Sequence, residues 1–95
     1  MRKTILRNGI RLLTIPKKET SSVTVLLVFP FGSRQETPKL FGGSHFIEHM
    51  LFKGTAKRPK SLDISRQLDA VGAEYNAFTS KDHTGYYIRI DAKHI

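Results

Sequence analysis

Ninety-five residues with no cysteine, 39% of them hydrophobic and 25% charged, fit one globular domain with a modest core or part of a larger one; they exclude a disulfide scaffold and thiolate metal chemistry. The longest apolar run, "VTVLLVFPF", falls short of the stretch of about 18 residues that crosses a bilayer and does not lie where a signal peptide would, so neither membrane nor export is expected. A net charge of +8, with six Lys or Arg in the first eighteen residues, is compatible with nucleic acid; with no nucleic-acid motif beside it, a solvated outer face is the better reading and no nucleic-acid partner is expected.

In chain order, "TILRNGIRLLTI" places β-prone runs at 3–7 and 10–15 around Asn8-Gly9, which predicts a hairpin closed by a type I′ turn and argues against a mitochondrial transit segment. "VTVLLVFP" is nearly all apolar or β-branched and is predicted as the central strand, covered on both faces. The loop "FGSRQETPKLFGG" leads to a short buried helix over 44–52, which "KGTAKRPK" ends. Ser61 is the predicted N-cap of a second helix, "LDISRQLDAV", with Ile64, Leu68 and Val71 on one face and Gly72 as its stop. "AEYNAFTS" and "TGYYIRID" around "KDH" predict a second hairpin. The order ββ-β-α-α-β-β implies an α+β unit, a mostly antiparallel or mixed sheet with two helices on one face.

The first helix carries the chemistry. In "SHFIEHMLF" the only ionisable groups are His45, Glu48 and His49. At about 100° per residue they share a stripe of about 100°, while Phe46, Ile47, Met50 and Leu51 fall on the other side, where they can pack on the sheet. Two imidazoles one turn apart can reach a single Zn²⁺ at about 2.0–2.1 Å, and the carboxylate beside them can take a proton from metal-activated water and return it to a departing amine. Satisfied core histidines are the alternative. With four His and four Glu in the chain, chance placement of H-x-x-E-H is roughly 0.7%, which favours the metal. His83, in a turn, and His94, at the chain end, read as surface histidines, and Glu74 and Asp82 as ordinary polar positions.

"GGSHFIEHMLFKGT" resembles the motif region of the pitrilysin and insulinase family of zinc metallopeptidases, which includes the mitochondrial processing peptidase. "FPFGSRQET" upstream and "VGAEYNAFTSKDHTGYY" downstream resemble that family's flanking segments, so the likeness runs through nearly the whole chain. It implies that residues 1–95 are a partial N-terminal peptidase domain, roughly the first half of one, incomplete at its C-terminal end. It implies His45 and His49 as ligands of one Zn²⁺, Glu48 as general base, and Asn76, Ala77 and Phe78 on a sheet edge that takes substrate as an added strand. For Asn76 a turn-adjacent strand position, and for Ala77 and Phe78 sheet packing, are the plain alternatives. The family's third ligand, a glutamate on a later helix, is not in this chain, so the isolated chain is expected to be weak or inactive. The resemblance implies a zinc metalloendopeptidase acting on peptide or protein substrates, with a second homologous domain or subunit enclosing them. The alternative is a non-catalytic peptide-binding or assembly subunit of a processing-peptidase-like complex. The expected location is the cytoplasm, or the mitochondrial matrix for a eukaryotic source.

Overall fold

The computed structural model describes residues 1–95. Five strands and two α-helices follow in the order β1 (Arg2–Ile5), β2 (Arg11–Thr14), β3 (Ser22–Phe29), α1 (Gly43–Met50), α2 (Ser61–Asp69), β4 (Glu74–Thr79) and β5 (Thr84–Asp91), with single 3₁₀ turns at Ser33–Gln35, Pro38–Leu40 and Ala92–His94. The α+β expectation holds, but the strands form two antiparallel sheets: the hairpin β1-β2 alone and a three-stranded sheet in the order β3-β5-β4. No helix is long and apolar enough to cross a membrane.

The first hairpin forms where Asn-Gly predicts it, but its turn is not type I′. Leu6 C=O accepts from Gly9 N–H at 2.9 Å and Leu6 N–H donates to Ile10 C=O at 2.9 Å, so Arg7 and Asn8 are the central residues. Of the turn residues only Gly9, at φ 87°, has positive φ. A type I′ turn requires positive φ at both central positions; the turn one residue earlier confines that requirement to the glycine, and Asn8 Oδ1 instead accepts from Ile10 N–H at 3.2 Å.

The predicted central strand, β3, is an edge; β5 lies between β3 and β4. Hydropathy identifies a strand that can be covered on both faces but does not say which neighbours the chain supplies. Val25 to Phe29 are each roughly half exposed, and five residues in all are buried: Gly32, Ser44, Thr84, Gly85 and Ile90. A radius of gyration of 15.5 Å, against about 12 Å for a compact chain of this length, fits so open a form.

Register divides the sheet into two faces. Tyr75, Ala77 and Thr79 pair with Ile88, Tyr86 and Thr84, which pair in turn with Val25, Leu27 and Phe29. This is the face that receives the helices. Phe52 of the turn after α1 stacks on Tyr75 at 6.3 Å, and Ile47 and Leu51 line an apolar cavity of about 260 Å³ with Phe29, Phe31, Ser44, Thr84 and Tyr86. The helix is therefore rolled relative to the sequence expectation. Ser44, Ile47 and Leu51 line the cavity against the sheet and Phe46 and Met50 do not, yet the helix is not buried as expected: Ile47, Met50 and Leu51 are each about half exposed and Phe46 is 65% exposed.

The loop before α1 is fastened to the second hairpin. Ser33 N–H and Arg34 N–H donate to Ser80 C=O at 3.1 Å and Lys81 C=O at 2.9 Å, the Arg34 guanidinium meets Asp82 at 3.0 Å, and Thr84 Oγ1 donates to Phe31 C=O at 2.9 Å. Gly32 is required there, because a side chain would collide with the Ser80 and Lys81 backbone. At the other end of this loop the Glu36 carboxylate accepts from Gly42 N–H at 2.8 Å and Ser44 N–H at 2.9 Å. Gly42, at φ 83°, has no side chain with which to cap α1, so Glu36 satisfies the helix's first donors from a distance and places a negative charge at its positive end.

The Ser44 backbone N–H, with that of Gly42, holds Glu36 below its ordinary 4.5. A depressed folded value means that the cap stabilises fully above the unfolded pKa and fades as pH falls through the folded one. Glu36→Gln is therefore expected to lower the melting temperature at pH 7, with the difference from wild type closing as pH drops below 4.5. Thermal unfolding of both proteins at pH 7 and pH 3 checks this; a gap that stays constant would remove the charge from the explanation.

At α2 the predicted cap moves by one residue. Lys60 is the N-cap, its N–H donating to Asp63 Oδ2 at 3.0 Å, and Ser61 is the first helical residue. The half-buried Ile64, Leu68 and Val71 form the inner face as expected.

Candidate active site

One turn of α1 separates His45 from His49, and their Nε2 atoms lie 2.8 Å apart. One donor atom each from His45, Glu48 and His49 lies within 4.8 Å of the others, the only group of three potential ligands in the chain. The histidines are exposed and Glu48 is half-buried, since the roll of the helix turns the carboxylate toward the sheet. The donor set suits zinc. Two nitrogens on a tetrahedral ion would stand about 3.3 Å apart, so the imidazoles need to open by only about half an ångström.

On the sheet side, Thr79 Oγ1 donates to Glu48 Oε2 at 2.5 Å. Neither sequence pattern nor motif singled out Thr79, although the alternation of "AEYNAFTS" puts it on the same face as Tyr75 and Ala77. Burial, with the negative charge of Glu48 behind it, pushes the neighbouring Tyr86 phenol above its ordinary 10.0, so it stays protonated at neutral pH.

Beside the cluster runs an open groove of about 430 Å³, bounded by Glu48, His49, Phe52, Lys53, Ser61 and Ser65 on one side and Tyr75, Asn76 and Ala77 on the other. Strand β4 is an edge. The Asn76 side chain folds over that edge, and its Oδ1 accepts from Ala77 N–H at 2.8 Å. Ala77 N–H thus points away from β5, and ladder alternation leaves the N–H and C=O of Tyr75, Ala77 and Thr79 on the open side. Phe78 is apart from the groove. Its ring covers Gly85 on the opposite face and meets His83 edge-on at 5.7 Å. His83 and His94 are exposed and belong to no group of potential ligands. Asp82 and Glu74 serve the surface pairs Arg34–Asp82 and Arg89–Glu74.

Comparison with known proteins follows the same outline. The chain is 49% identical over 90 residues to an uncharacterized zinc protease of Streptomyces coelicolor, covering 95% of this chain and 19% of the relative. It is 46% identical over 88 residues to the mitochondrial-processing peptidase subunit beta of Dictyostelium discoideum, covering 92% of this chain and 18% of that one. The crystal structure of a protease from Helicobacter pylori superposes with a TM-score of 0.88 at 29% identity, over 97% of this chain and 22% of the other. The chain spans about a fifth of the length of these proteins. Residues 11–95, from the second strand through β5 to the end, match the family described as insulinase, peptidase family M16, and to that family this chain belongs.

Proposed function

We propose that residues 1–95 are the N-terminal, motif-bearing part of a zinc-dependent metalloendopeptidase domain that cuts extended peptides. The observation that carries this reading is two imidazoles and a carboxylate within 4.8 Å on one helix, at the side of a groove whose far wall is an open strand edge. The zinc-protease names of relatives support the choice of metal.

In this reading His45 and His49 hold zinc, and a third protein ligand comes from outside residues 1–95. When bound, zinc supplies Lewis acidity toward water and the peptide carbonyl. Glu48 takes a proton from the attacking water on a carboxylate oxygen and returns it to the leaving amine nitrogen. The substrate lies along β4 as an added strand, bonded by the Tyr75 and Ala77 main chain, which reads extended backbone rather than side chains. For this, Asn76 Oδ1 leaves the Ala77 N–H and its amide becomes free to bond the substrate main chain. Phe78 contributes by fixing the strand from behind, over Gly85.

The test is hydrolysis of an unstructured peptide by the complete protein, before and after a zinc chelator. Activity lost on chelation and restored by zinc is expected, with far less from the isolated 95-residue chain. Chelator-insensitive activity would sink the assignment. The competing reading, a non-catalytic peptide-binding or assembly subunit, draws on the naming of a relative as a subunit. It predicts peptide bound but uncut by the zinc-loaded protein.

A further inference from the structure

We propose that Thr79 is a positioning residue for Glu48: its hydroxyl holds one carboxylate oxygen against the sheet, keeping Glu48 off the metal and presenting the other oxygen to water. This rests on the metallopeptidase reading above and adds a residue to it.

The need for such a restraint follows from the spacing of the motif. Positions i, i+3 and i+4 of a helix bring all three side chains within reach of one ion, and a carboxylate oxygen is itself a zinc ligand at about 2.0–2.2 Å. A glutamate with freely turning side-chain torsions would be drawn onto a cation that only two imidazoles from this chain hold. Once ligated, it could no longer serve as a base. Something must hold Glu48 back without neutralising it, and a single hydroxyl donor does so.

Thr79 is built for that task. It is the last residue of β4, paired with the buried Thr84, so its backbone is fixed by the ladder just before the turn. Its β-branched side chain has little freedom at χ1, so the hydroxyl direction is set by the strand. The bond from Oγ1 to Glu48 Oε2, 2.5 Å across 31 residues of sequence, is the only hydrogen bond between α1 and the three-stranded sheet.

The experiment uses the complete protein with Thr79→Val, which keeps the shape and removes the donor, and Thr79→Ser, which restores it. Peptide hydrolysis and the visible spectrum of the cobalt-substituted enzyme are measured for each. Thr79→Val is expected to lower kcat by about 10–100-fold, part of the general-base contribution, with KM within about twofold. Its cobalt spectrum should shift as Glu48 joins the coordination, and the shift should vanish when Glu48→Ala is added. Thr79→Ser should return both readouts most of the way to wild type. A Thr79→Val enzyme with wild-type kcat and spectrum would overturn the proposal, as would a shift that persists with Glu48→Ala. If Thr79→Val fails to fold, Thr79→Ser decides: near-normal kcat and spectrum support the proposal, and loss of activity despite a retained hydroxyl overturns it. A wild-type protein that binds no cobalt and cuts no peptide would instead defeat the metallopeptidase reading, and this inference with it.

Discussion

Glu48→Gln in the complete protein is expected to reduce peptide hydrolysis by about 10²–10⁴-fold while leaving one zinc bound. The substitution is nearly isosteric, and its amide oxygen still accepts the Thr79 hydroxyl, so neither the packing of α1 nor the contact with β4 is lost. What disappears is a group able to take a proton from water and give it back. Because His45 and His49 are untouched, metal content by atomic absorption should equal that of wild type. That pairing of results separates a base from a ligand: loss of zinc together with activity would make Glu48 part of the coordination, and retained activity would remove it from the chemistry. A fall in kcat with KM unchanged is expected, since a general base acts on the reacting atoms rather than on the length of the bound peptide.

The residues readable in advance were those whose placement is set by local spacing. His45, Glu48 and His49 meet because a helix brings i, i+3 and i+4 together whatever surrounds it. The strands beside Asn8-Gly9 and Lys81-Asp82-His83 were readable for the same reason, since turn chemistry is local. Long-range choices were not. That β3 is an edge, that α1 turns Ile47 and Leu51 rather than Phe46 and Met50 toward the cavity, and that Thr79 meets Glu48 depend on how distant segments dock, which no periodicity encodes. Glu36 shows the same limit from the other side. The rule that places a capping residue directly before a helix finds only Gly42, while the actual acceptor sits eight residues before Ser44. The roll of α1 also gives Glu48 its character, since the face that packs Ile47 and Leu51 carries the carboxylate from the exposed stripe toward the sheet.

Removal of either histidine should cost more than activity. His45→Ala is expected to weaken zinc binding by about 100-fold or more, because loss of an outer-shell partner alone typically costs 10–100-fold and this change deletes a ligand. Calorimetry on the 95-residue chain and on the complete protein, each with and without the substitution, tests this and the number of ligands together. Two imidazoles should bind zinc weakly in the short chain, and a chelator should strip it; the complete protein, with three ligands, should keep it. Tight binding by the short chain, lost in His45→Ala, would mean that the third ligand is supplied within residues 1–95 or by a second copy. Glu48 is the one carboxylate in the chain close enough to be that ligand, and under the proposal above it would reach the metal by giving up Thr79. The same chain would then bind zinc well and catalyse poorly. Tight binding lost on Glu48→Ala would therefore identify a released Glu48, tight binding that survives Glu48→Ala a ligand from a second copy, and weak binding a Glu48 still held by the sheet.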